Sequence, residues 1–169
     1  MDLMIKDLAT GKTKKVVEDV EMRIGWSHDS SKLVYVKRPK RRPNFYDIYT
    51  YDIARDTERR VSRQMRATDP SFSPGDSLIV FVRNEAGNNS LGVVRSDGSK
   101  LRFLTTTHDG TQFYMPSFSP DGSKIVYSAA QVNTATLYGG AKINVMNSDG
   151  TNVKQLYYID STRAVDPSY

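Results

Sequence analysis

The chain of 169 residues has no cysteine, two histidines and one tryptophan. Without thiols there is no disulfide framework and no zinc–thiolate site, a composition that suits either redox compartment. His28 and His108 are the only imidazoles, too few for a histidine-rich metal centre. Neither a Gly-x-Ser-x-Gly elbow nor a His-Glu-x-x-His pair occurs, so hydrolase chemistry has no nucleophile or metal motif to point to. No segment approaches the ~18 consecutive apolar residues of a membrane-spanning helix. No leader is expected within these residues, because Met1-Asp2-Leu3 opens directly into a strand pattern; one removed or lying upstream stays open. Helical periodicity is missing throughout. What remains, 38% hydrophobic and 25% charged residues, is ordinary for one globular domain.

What the chain does have is repetition. Met115-Pro116-Ser117-Phe118-Ser119-Pro120-Asp121-Gly122-Ser123-Lys124-Ile125-Val126-Tyr127 spells a strand, a tight turn and a second strand. Proline presets φ within Ser-Pro-Asp-Gly, glycine is free to take a positive φ, and the β-branched and aromatic run behind it favours a strand. A second copy runs from Asp69-Pro70-Ser71-Phe72 to Phe81, and a third from Arg23-Ile24-Gly25-Trp26 to Tyr35. A fourth opens at Asp166-Pro167-Ser168-Tyr169. The first-strand aromatics Trp26, Phe72, Phe118 and Tyr169 are spaced by 46, 46 and 51 residues. Each hairpin is followed by another with its own turn, Ser96-Asp97-Gly98-Ser99 or Ser148-Asp149-Gly150-Thr151. Asp52-Ile53-Ala54-Arg55 likewise matches Asp7-Leu8-Ala9-Thr10. Four strands per repeat at this period predict an all-β fold, a partial β-propeller.

Asp-Pro-Ser-Phe-Ser-Pro-Asp-Gly-Ser-Lys-Ile-Val-Tyr followed by Ile-Asn-Val-Met-Asn-Ser-Asp-Gly-Thr-Asn resembles the WD40-like propeller repeat of the TolB family, the periplasmic component of the Tol–Pal system. Similar repeats occur in tricorn-type and prolyl-oligopeptidase-type peptidases and in other bacterial surface proteins. The resemblance covers nearly the whole chain and rests on turn and core positions. It implies a non-catalytic protein-interaction scaffold in the periplasm or another extracytoplasmic place, with no cofactor. The alternative is a propeller belonging to a larger peptidase or carbohydrate-active enzyme whose catalytic residues lie outside this chain. The first repeat departs most, since Ser27-His28-Asp29-Ser30 lacks both the proline and the glycine.

The repeat spacing divides residues 1–169 into a half blade at 3–17, whole blades at 22–62, 68–105 and 114–157, and the start of another at 164–169. Propellers close with ~4–8 blades. The expectation is therefore either a piece of a larger ring or chains that associate to complete one. Blades bury both faces, so Leu33–Val36, Leu78–Val82 and Ile125–Tyr127 read as continuous apolar runs. An end blade exposes such a face, so the chain alone is expected to be oligomeric or poorly stable.

Strand alternation places the short repeated turns on one rim and the irregular stretches on the other. Those stretches are 17–22, 38–46, 63–67, 84–89, 106–113, 129–140 and 158–163. Loops on a rigid scaffold are where binding is usually located. Lys37, Arg38, Lys40, Arg41 and Arg42 form a basic run there, joined by Arg63 and Arg66, and much of the formal charge of +5 lies in it. Such a patch steers an acidic protein partner, an anionic carbohydrate or a phosphate surface; alternatively it is a solvated loop. The run lacks clear aromatic stacking partners, which argues against nucleic acid. His108, beside Asp109, and the aromatics Tyr114 and Tyr138 complete the candidate partner-binding set; Tyr158 is a further aromatic on this rim. The tyrosines serve equally well to close the blade ends. Asp97, Asp121 and Asp149 are expected to brace turns; Asp69 and Asp166 could line the central channel of a closed ring, where a bound cation or water is conceivable. Gly11-Lys12-Thr13 lacks the rest of a phosphate-binding loop, and Asn88-Asn89-Ser90 is a glycosylation sequon.

Overall fold

The computed structural model describes residues 1–40, 45–85, 88–106, 110–131 and 140–159. These form fourteen strands and no helix. A two-stranded hairpin, β1 (Leu3–Lys6) and β2 (Thr13–Val17), precedes three four-stranded sheets. The first sheet is β3 (Val20–Trp26), β4 (Lys32–Lys37), β5 (Asp47–Asp52) and β6 (Thr57–Arg60). The second is β7 (Ala67–Phe72), β8 (Leu78–Glu85), β9 (Asn88–Arg95) and β10 (Arg102–Phe103). The third is β11 (Thr111–Phe118), β12 (Lys124–Gln131), β13 (Ala141–Asn147) and β14 (Lys154–Ile159). Each sheet is an antiparallel meander in chain order. The innermost strands β3, β7 and β11 pack beside one another, so the sheets fan out as propeller blades.

Burial of both faces explains the apolar runs. Leu33, Val34, Tyr35 and Val36 are all buried, alternately against the hairpin and against the second sheet. Ile79 and Phe81 face the first sheet, and Val80 and Val82 face the third. Each such side chain contributes about 1.5–3 kcal/mol. Tyr35, Phe81 and Tyr127 are buried at one repeat position, as their spacing predicts. Tyr49 and Tyr51 face the hairpin, whereas Tyr46 packs toward the second sheet.

The turns repay closer inspection. In the third sheet Asp121 Oδ1 accepts from the Ser119 hydroxyl at 2.5 Å and the Ser123 amide at 3.0 Å, and Gly122 takes φ 71°. The first sheet builds the same turn without proline or glycine. Asp29 Oδ1 accepts from the Ser27 hydroxyl and the Ser31 amide, and Ser30 adopts φ 58°. The second sheet inverts the order to Gly75-Asp76. Asp76 then holds the positive φ, and its carboxylate accepts from the backbone amides of His28 (2.6 Å) and Asp29 (3.2 Å) in the neighbouring turn. A brace within one turn has become a link between two sheets.

A second link recurs on the outer strands. Lys14, Arg59 and Arg102 hold equivalent register positions, opposite Ile5, Thr50 and Val93. Lys14 Nζ lies 2.7 Å from Asp56 Oδ2, Arg59 Nη2 donates to the Asp97 carbonyl at 2.8 Å, and Arg102 Nη2 donates to the Ser148 carbonyl at 2.9 Å. Each reaches the outer turn of the following sheet. Lys154, opposite Val145, holds that position in the third sheet and is exposed.

Two features differ from the sequence reading. Several stretches expected to be irregular are strand: β3 starts at Val20, β11 at Thr111, and β8 and β9 run to Glu85 and from Asn88. Antiparallel pairing carries through them because their backbone groups find partners in the ladder. Each inner strand also breaks register at one place, between Glu21 and Ile24, Thr68 and Ser71, and Tyr114 and Ser117. Asp69 and Met115 take positive φ in these bulges. The bulges bend the innermost strands.

Candidate functional site

The rim opposite the repeated turns carries the candidate site. Between the hairpin and the first sheet lies a cleft of about 550 Å³, lined by Glu18, Asp19, Lys37, Arg38, Lys40, Tyr49, Glu58 and Arg60 among others. Its charges are largely committed. Lys37 Nζ donates to Glu58 Oε2 at 2.5 Å and sits 4.7 Å from the centre of the Tyr49 ring. Glu58 Oε1 accepts from the Tyr35 hydroxyl at 2.6 Å. Burial, followed by that bond to Glu58, pushes the Tyr35 phenol well above its usual range. Arg60 Nη2 meets Asp47 Oδ2 at 2.5 Å.

Arg38 donates to the Tyr46 hydroxyl, lies over the Tyr46 ring and is 3.7 Å from Glu21. Lys40 is exposed and has no ion pair among the described residues. Lys15, and to a smaller degree Lys40, hold the Glu18 carboxyl below its ordinary value.

The adjoining connection, residues 61–66, is fixed by one buried carboxylate. Asp47 accepts from Arg60, from the Ser62 hydroxyl at 3.1 Å and from the Met65 amide at 3.0 Å. The Ser62 hydroxyl also accepts from the Ile48 amide. A charge with no exposed surface is tolerated only when its lone pairs are filled in this way. The connection so held presents Arg63 and Arg66 outward, the latter 5.1 Å over the Phe45 ring. Aromatic partners for the basic run therefore exist: Tyr46 and Phe45 each carry an arginine. Sequence reasoning missed them, and Asp47 as well, because the pairings join residues across strands rather than along the chain.

The structure brings Lys37, Arg38 and Lys40 to one cleft, with Arg63 and Arg66 on the neighbouring connection. Tyr114 lies within β11, opposite Ser128, on the exposed face of the third sheet. Arg41, Arg42, His108 and Tyr138 lie outside the described residues, as does Asp166. Asp69 is engaged: Oδ2 accepts from the Met115 amide at 3.1 Å and Oδ1 is 3.5 Å from Arg23 Nε. No group of three potential metal-binding side chains gathers among the described residues. Among them, no helix is long and apolar enough to cross a membrane. In the sequon, Asn88 pairs with Glu85 at the start of β9. Its neighbour Asn89 is buried, exchanging two hydrogen bonds with the Phe113 backbone at 2.6 and 2.9 Å.

Four-stranded antiparallel sheets fanned about their innermost strands, with short turns at one rim and variable connections at the other, define a β-propeller. The chain belongs to the TolB β-propeller domain family, whose model matches residues 1–169. It is 31% identical over 136 residues to the uncharacterized protein Atu1656 of Agrobacterium fabrum, a match covering 79% of this chain and 45% of the relative. Among solved structures, the putative TolB from Agrobacterium tumefaciens superposes with a TM-score of 0.75 at 25% identity, covering 90% of this chain and 55% of that one. Oligogalacturonate lyase in complex with manganese shares the fold at 18% identity and a TM-score of 0.69, over 94% of this chain and 48% of its own. The chain thus spans about half the length of the proteins it matches.

Proposed function

We propose that the chain acts as a non-catalytic protein-interaction scaffold of an extracytoplasmic TolB-like propeller, engaging an acidic protein partner through the irregular rim. The observation that carries the reading is the division of labour among the rim cations. Lys37 and Arg60 are held by Glu58 and Asp47. Lys40, in the cleft wall, and Arg63 and Arg66, on the neighbouring connection, remain exposed. Fixed walls with outward charges provide shape and electrostatic steering together. The anchored pairs also narrow the patch expected from the sequence, because they place acidic groups among its bases.

The competing reading, a propeller within a larger enzyme, draws on the oligogalacturonate lyase likeness, which extends to the fold alone. The parent sequence on either side of residues 1–169 separates the two: a nucleophile-elbow domain supports the enzyme, and further repeats support the scaffold. The direct test is binding to a protein partner captured from envelope extracts of the parent cell. Lys40→Glu combined with Arg63→Glu should weaken capture, and the wild-type complex should weaken as salt rises over the Debye range. Binding unchanged by both removes the rim reading.

A further inference from the structure

The seam between the first and second sheets opens on the irregular rim into a pocket of about 260 Å³. Phe45, Gln64, Arg66, Arg83, Asn84 and Glu85 are among its lining. Two guanidiniums meet there, Arg66 from the connection at 61–66 and Arg83 from β8. Arg83 stands two residues beyond Phe81, so it shares the face turned toward the first sheet. Each is backed by a ring. Arg66 lies 5.1 Å from the centre of Phe45, and Arg83 lies 4.9 Å from that of Phe103. Stacking fixes the plane of a guanidinium while its N–H edge stays available.

Register shows why these arginines are not used up within the fold. Arg83 holds in the second sheet the place that Lys37 holds in the first. Lys37 is closed off by Glu58, which reaches it from β6, and its side chain is 19% exposed. In the second sheet Phe103 takes the register position of Arg60, and Leu101 therefore that of Glu58. Arg83 thus has no cross-strand carboxylate. Among the described residues it meets Glu85 alone, 2.6 Å from Nη2, in a pair whose side chains are 35% and 50% exposed. So open a pair is worth little, and a second carboxylate can displace Glu85. Arg66 is exposed and has no ion pair among the described residues. Its backbone is fixed nonetheless. The residue before each inner strand is left-handed, with φ 58° at Asp19, 48° at Arg66 and 79° at Gly110. Glycine suits that place and arginine does not. The Arg66 carbonyl is held by the Asn84 amide at 3.0 Å and by Asn84 Nδ2 at 3.2 Å.

We infer that this pocket anchors the protein partner by taking one of its aspartate or glutamate carboxylates between Arg66 and Arg83, in place of Glu85. The inference rests on the acidic-partner reading above and gives it a point of attachment. A carboxylate suits the site, because arginine offers paired N–H groups to two oxygens and the charges are complementary. A nucleobase or a sugar would need an open aromatic face, and here guanidiniums lie over both rings.

The probe is a Glu-Gly repeat peptide, fluorescently labelled at its N-terminus and amidated at its C-terminus, so that side-chain carboxylates alone carry its charge. Binding to the full chain is read by anisotropy at low salt. Arg66→Lys with Arg83→Lys keeps the net charge but loses the planar fork, and should weaken binding by about tenfold. Glu85→Gln removes the resident competitor and should tighten it by about two- to fivefold. Glu18→Gln removes the same charge elsewhere on the rim and should tighten it less. Circular dichroism checks that each variant folds. A lysine pair that binds like the wild type overturns the inference, because charge alone then suffices. Equal gains from Glu85→Gln and Glu18→Gln overturn it too. If Lys40→Glu with Arg63→Glu weakens binding and the lysine pair does not, the rim reading stands and the pocket falls. An oligouronate of equal charge that binds more tightly, with the same arginine dependence, overturns the protein carboxylate in favour of a carbohydrate. No binding at millimolar peptide also removes the pocket, while capture from envelope extracts judges the rim reading separately.

Discussion

The second and third sheets follow one sequence pattern but sit in different surroundings. Val34, Val80 and Val126 hold one repeat position, and Ile48, Leu91 and Ile143 another. In the first two sheets these residues are fully buried, whereas Val126 and Ile143 are each 36% exposed. The continuous burial of β8 becomes alternation in β12. The same letters are thus core or surface according to whether another sheet stands beside them, and stability in this fold belongs to neighbouring pairs rather than to single sheets.

The largest test of that contrast is a matched truncation. Leu91→Ala should cost about 2–5 kcal/mol in denaturant unfolding, as for a buried aliphatic, and Ile143→Ala clearly less. Equal losses would show that the third sheet is covered in solution, which sedimentation would reveal as association. Next comes Gly98→Ala. Gly98 has φ 85°, and an added Cβ would stand 2.6 Å from the Val61 carbonyl oxygen. The strain is on the order of 1–3 kcal/mol. Gly122→Ala, where the nearest atom is a Pro74 carbon at 3.6 Å, should retain only the dihedral part. A smaller step compares Arg102→Ala with Lys154→Ala. The first removes a link to the third sheet and should cost up to about 1 kcal/mol; the second should be neutral.

The smallest effect concerns pH. Hydrogen bonds from Ser31 and Ser27 lower the Asp29 carboxyl to about 2, and bonds from Ser119 and Ser123 do the same for Asp121. The fold favours their charged forms relative to the ordinary 3.8. Their contribution is therefore complete above the unfolded value and lost as pH falls from about 4 toward 2. In Asp29→Asn with Asp121→Asn, the acid limb of the stability curve should flatten across that window.

The repeat was legible because its residues are dictated locally. Trp26, Phe72 and Phe118 recur at 46-residue spacing, and the turns between strands are set by proline, glycine and aspartate. The first turn also follows from chemistry, since Asp29 supplies the brace even where His28 and Ser30 replace proline and glycine. Less could be read at the rim. Lys37 and Glu58 are 21 residues apart and meet only through the register of β4, β5 and β6. Asp47 resembles any strand-edge aspartate until the connection at 61–66 folds over it. The Gly75-Asp76 inversion looks like a conservative swap, yet it redirects a carboxylate into the neighbouring sheet.

The outer-strand cations give the assembly an arrow. Lys14, Arg59 and Arg102 each reach toward the sheet that follows and never toward the one before. A sheet placed back to front would meet its neighbour with no donor facing the waiting oxygen. Along the outer strands the donor therefore belongs in every case to the earlier sheet and the acceptor to the later one, and Lys154, at the same position in the third sheet, has no such acceptor among the described residues.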